Sequence, residues 1–161
     1  MDCGQLVSVI LDAYDARKEF KEYFEYFLNP QPEKLLEKHK AAIQKELGRT
    51  SRGRSKARIS RIRQHIADFR SFQPGYERMA GIYIYTIESI AATDYRLFLP
   101  APLVNGTAKI ITEYVAFANE SGNITDCREQ LDRIIKSSAT RRHFRNFMLD
   151  SAQEAFAALR K

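Results

Sequence analysis

The chain has 161 residues, 44% of them apolar, which fits one core of ordinary size and excludes disorder as the overall state. Only 7 Gly and 5 Pro punctuate it, so helices are favoured over the turn-rich chemistry of an all-β fold. The net charge of +6 is local: residues 45–63 hold eight basic side chains and one acid, Glu46, and everything else sums to −1.

Apolar spacing predicts a first helix from about Leu6 to Leu28, with Leu6, Ile10, Ala13, Phe20, Phe24 and Phe27 on one side. Asp12, Asp15, Glu19 and Glu22 line the other side, and Asn29-Pro30 ends it. Pro32 suits the first turn of a second helix carrying Leu35, Leu36, His39, Ile43 and Leu47, with Gly48 beyond its end. The segment GRTSRGRSK reads as a solvated loop. A third helix starts near Ser55 and uses Ile59, Ile62, Ile66 and Phe69. After Gln73-Pro74-Gly75 a fourth runs to about Tyr95 and is apolar on most sides, which marks it as the central helix. It should touch at least three others and close over Tyr83 and Ile87.

The stretch LFLPAPLVNG, with Pro100, Pro102 and Asn105-Gly106, reads as a break before a fifth helix that carries Ile110, Ile111, Tyr114 and Val115 and stops at Gly122. Asp126 and Glu129 suggest a capping-box start for a sixth helix, and a seventh begins near Thr140. The expectation is an all-α chain of about seven mostly antiparallel helices, in one bundle-like or short superhelical domain spanning residues 1–161.

Several function classes lose their basis at this level. Cys3 and Cys127 make neither a disulfide framework nor a metal site. His39, His65 and His143 are far apart, with no Glu-x-x-His pair, and there is no phosphate-binding glycine loop or nucleophile elbow. No catalytic residue, metal or cofactor is expected. The N-terminus carries Asp2 in place of the cations of a secretory signal. The least charged stretch, Met79 to Thr93, contains Glu88 and is too short to span a bilayer. A cytoplasmic location without membrane contact is the expectation.

Two charge features break local rules. Arg17 falls in the middle of the first helix's apolar arc, and Glu88 is the only charge between Met79 and Thr93. Both are expected to be buried, and a buried charge needs a partner, so they are expected to pair. The start of the third helix is surrounded by Arg52, Arg54, Lys56, Arg58 and Arg61, where the helix dipole favours acids. These five residues are a candidate anion site, set against a solubilising loop whose arginine stems cover apolar surface. Arg141, Arg142 and Arg145 repeat the pattern more weakly at the last helix.

The run LVSVILDAYDARKEFKEYFEYFLNPQPEKLLEKHKAAIQKE, followed by the basic stretch RGRSKARISRIRQHIADF, resembles a bacterial family catalogued as a domain of unknown function. The resemblance rests on the tyrosine-containing first helix, the Leu28-Asn29-Pro30 break, the Glu33-Lys34-Leu35-Leu36-Glu37 opening and the basic segment. It is specific over residues 5–72. Many members carry a glycine- and tryptophan-containing turn near the C-terminus, where this chain reads ATRRHFRNF. The resemblance implies helices and carries no activity or ligand.

Three readings follow. The first is a non-enzymatic helical interaction module that binds a protein partner or itself. The second is binding of nucleic acid or another polyanion through residues 49–63. Against the second, no aromatic is interleaved with the arginines for base stacking. An enzyme with a polar pocket around Arg17 and Glu88 is a third.

Overall fold

Helix caps written into the sequence set the first element. Asp2 accepts from the Gln5 amide at 2.8 Å, and Gln5 Oε1 accepts from the Asp2 amide at 2.9 Å. That reciprocal box starts α1 (Cys3–Ala16). The structure, a computed structural model, describes residues 2–48, 56, 58–96 and 99–159. Eight helices stand among the described residues, not about seven.

The extra helix comes from a break at Arg17, whose backbone is extended (φ −134°, ψ 115°). Its N–H still donates to Ala13 O at 3.1 Å, while its own carbonyl accepts from Lys21 at 3.0 Å. One residue therefore closes α1 and opens α2 (Lys18–Leu28). The chain turns back there: the Tyr14 hydroxyl donates to Glu25 at 2.8 Å and its ring meets Phe24 edge-on at 6.1 Å. The expected continuous stripe from Leu6 to Phe27 is thus two stripes, because the extended residue resets the helical phase.

The chain divides into two compact units, residues 1–35 and 36–161. The first holds α1 and α2, neither of which has a buried residue. In the second, the later part of α3 (Pro32–Glu46) buries His39 and Ile43. It is followed by α4 (Ile59–Ser71), α5 (Tyr76–Arg96), α6 (Ala101–Glu120), α7 (Ile124–Ser137) and α8 (Arg142–Ala158).

Helix α5 packs on α4, α6, α7 and α8, with Tyr83 and Ile87 only 2% and 0% exposed, as its low charge predicts. It shares the centre with α6, which touches the same α4, α7 and α8. Between them the rings of Tyr83 and Tyr114 stack at 5.2 Å. Burying each such large side chain contributes on the order of 2–3 kcal/mol.

The expected break before residue 106 is shorter than the sequence suggests. Pro100 is the N-cap of α6 and Pro102 lies in its first turn, where the missing N–H costs nothing. Gly106 lies inside the helix and is buried. A Cβ there would stand 2.0 Å from Ile59 Cγ1, so glycine is what lets α4 approach α6 this closely. At the other end Gly122 (φ 72°) closes α6 as the sequence predicts. Asn123 N–H donates to Ala118 O and Gly122 N–H to Asn119 O, a Schellman pair.

Candidate functional site

Along α5, residues 77, 81, 84 and 88 return to one face every third or fourth position. That face looks across a gap at α7. The gap is a cleft of about 550 Å³, within the range of ligand sites. Two small residues of α5, Ala80 and Gly81, line it opposite α7 and leave it room. A Cβ on Gly81 would meet nothing within 4 Å. Ile84 and Ile134 complete an apolar floor.

One end of the cleft is fixed by a polar network. The Tyr76 hydroxyl donates to Asp126 Oδ2 at 2.9 Å, and Gln130 Nε2 donates to the same oxygen at 2.7 Å. The buried Tyr114 hydroxyl then donates to Gln130 Oε1 at 2.9 Å. Asp126 therefore does not cap α7 as the sequence suggests. Asn123 is the N-cap, without a side-chain cap bond, and Asp126 lies inside the first turn, where it accepts from Tyr76 of α5. Burial, reinforced by the Asp126 carboxylate, pushes the Tyr76 phenol up to about 12. Burial also raises Tyr114, and it pushes the Cys127 thiol up to about 12. Raised in this way, all three groups stay protonated near neutrality, and the two phenols serve the network as hydrogen-bond donors.

The open rim carries Glu77, Glu88 and Arg133, all exposed. Their side chains have no ion-pair partner among the described residues. Glu77 and Glu88, eleven residues apart, are separated by about 16 Å along the helix. Counting Asp126, three carboxylates face one guanidinium. The cleft is acidic on a chain whose net charge is +6.

Burial of the Arg17 and Glu88 charges is corrected at both residues. Arg17 is exposed at the α1–α2 break, where its extended backbone takes it off the apolar arc. Glu88 is exposed on the cleft rim.

The candidate anion site is met by an acid from another helix. Arg58 and Arg61 lie 3.6 and 3.9 Å from Glu46 of α3, and Lys56 Nζ donates to Lys45 O at 3.0 Å. Arg52 and Arg54 lie outside the described residues. The last helix repeats the arrangement. Asp94, on α5 and 2% exposed, accepts from the Thr140 hydroxyl at 2.9 Å and from the Arg141 amide at 3.0 Å. The carboxylate missing from the first turn of α8 is therefore supplied in space. His39 packs as a core-edge ring, 5.4 Å from Phe69, and burial foremost, then the charges of His65 and Lys38, lowers its pKa. Among the described residues no three potential metal ligands gather.

The model of a family of unknown function, DUF6155, matches residues 1–156. The chain belongs to this family. The match extends the resemblance read over residues 5–72 across all eight helices, so the DUF6155 sequence includes both the α1–α2 pair and the α5–α7 cleft. No curated protein and no solved structure matches the chain.

Proposed function

We propose that this DUF6155 protein is a non-enzymatic, cytoplasmic interaction module whose α5–α7 cleft receives a cationic amphipathic helix of a protein partner. The observation that carries the reading is an apolar floor left open between carboxylates without partners, Glu77 and Glu88, with Asp126 at one end. Helix-in-groove recognition needs an apolar strip plus flanking charges that fix register, and this cleft has both. In keeping with an aqueous compartment, no helix among the described residues is long and apolar enough to cross a membrane.

The test is titration of a synthetic helical peptide, with a Leu/Ala face and lysines about 16 Å apart, against a Glu-for-Lys twin. The lysine peptide should bind and weaken with salt, while its twin should not bind. Gly81→Leu should block binding without loss of stability, because the new side chain enters open space. Equal affinity for both peptides, or no effect of Gly81→Leu, would end the reading.

A second reading keeps polyanion binding by residues 49–63. It is supported by two guanidiniums, Arg58 and Arg61, sharing the single Glu46 carboxylate while staying 47% and 65% exposed. On short duplex DNA each engaged cation contributes about 0.9 to the salt slope. DNA binding whose slope falls in Arg58→Ala/Arg61→Ala, with no peptide binding in the cleft, would favour it.

A further inference from the structure

The two walls of the α5–α7 cleft are pinned to each other at both ends. Tyr76, the first residue of α5, donates to Asp126 in the first turn of α7 at 2.9 Å. Near the other end of α5, Asp94 accepts from Thr140, just past the end of α7, at 2.9 Å. The two helices therefore run parallel, and the gap between them is held at a fixed length. Every residue that lines it belongs to the unit 36–161. A ligand entering a site fixed in this way has little to order, which favours binding.

The acids of the lining stand at its two ends. Glu77 adjoins Tyr76 and so lies at the Asp126 end, while Glu88 is about 16 Å away along the same helix. Between them lies the apolar floor of Ala80, Gly81, Ile84 and Ile134. Three carboxylates against the single guanidinium of Arg133 leave the lining at −2. One metal ion cannot meet carboxylates so far apart, and among the described residues no three potential metal ligands gather. A flexible aliphatic chain with an ammonium at each end does meet them. Three bonds of an extended chain advance about 3.6 Å, so the thirteen bonds between the end nitrogens of spermine reach about 16 Å. The five bonds of putrescine reach only about 6 Å.

We infer that the cleft also binds a free linear polyamine. One end ammonium sits between Glu77 and Asp126, the other sits at Glu88, and methylenes cover the floor. This occupant rests on the proposed reading of the cleft as a seat for spaced cations, and it makes the polyamine a competitor of the partner helix.

Isothermal titration of the full chain at low salt tests it. Spermine should bind at one site and more tightly than putrescine, which reaches one end only. Charge alone would give the same order, so the variants decide. Glu88→Gln should weaken spermine about fivefold, the upper end for an exposed ion pair, and leave putrescine unchanged. Glu154→Gln makes the same charge change on an exposed residue of α8 outside the cleft and should leave both unchanged. Gly81→Leu should abolish spermine binding. Equal losses of spermine in Glu88→Gln and Glu154→Gln, or no saturation by about 1 mM, would overturn the polyamine site. The lysine peptide separates this claim from the helix reading. A peptide that binds and is not displaced by spermine sinks the polyamine alone. Spermine that binds with these variant effects, where the peptide does not bind, sinks the helix alone.

Discussion

Replacing Gly106 by alanine should destabilise the protein, although alanine is the better helix former. The new Cβ would lie 2.0 Å from Ile59 Cγ1, 2.6 Å from its Cδ1 and 3.1 Å from its Cβ. Comfortable carbon contacts lie at about 3.5–4.0 Å. Rotating Ile59 about χ1 moves Cγ1 and Cδ1, but the third contact lies at the branch point and does not move with it. Overpacking of this kind costs about 1–3 kcal/mol. The helical gain from removing a mid-helix glycine returns about 1 kcal/mol. The net expectation is a loss of up to roughly 2 kcal/mol, or a Tm lower by up to about 8 °C for a chain of this length.

Gly81→Ala is the internal control. It is also mid-helix, but its Cβ meets nothing, so it should stabilise by up to about 1 kcal/mol. Urea and thermal melts of both variants, and of Gly106→Ala combined with Ile59→Ala, complete the test. The double variant should recover part of the loss, with a coupling of about 1 kcal/mol or more. If Gly106→Ala stabilises as much as Gly81→Ala, the close approach of α4 to α6 is not what selects glycine there.

Asp94→Ala should cost about 2–3 kcal/mol, because it strands the Thr140 hydroxyl and the Arg141 amide; a urea midpoint that hardly moves would refute the cap. His39 gives a pH signature. Its folded pKa lies below the ordinary value of about 6.5, so the unfolded chain binds more protons between the two. Its contribution is fully present above pH of about 6.5 and declines as the pH falls below that. His39→Phe should flatten this part of the stability–pH curve, measured as urea midpoints between pH of about 5 and 8; an unchanged slope counts against the assignment.

Most of the helices were legible because their signals are local. Ile110, Ile111, Tyr114 and Val115 repeat with the helical period and are all buried, and Gly122 stops α6 where its positive φ is needed. The departures come from information that is not local. Arg17 carries no breaker signature, and a single extended residue turned one expected helix into two. Gly106 looked like a turn because its reason, Ile59, is 47 positions away in the chain. The cations at the starts of α4 and α8 looked unopposed because Glu46 and Asp94 arrive from other helices. The cleft left one trace in the sequence, a glycine between Glu77 and Glu88 on a helix too regular to need one. Periodicity alone does not say that the facing surface stays empty.

The Asp94 cap also bears on the order in which the chain can mature. During synthesis α5 is complete some forty residues before Thr140 and Arg141 leave the ribosome. Until then Asp94 has neither of the donors that satisfy it in the finished fold, and water must fill their place. The end of α5 therefore cannot close dry around that carboxylate early. Its final sealing waits for α8, and the nascent chain keeps a hydrated notch at the end of α5 almost to the last helix.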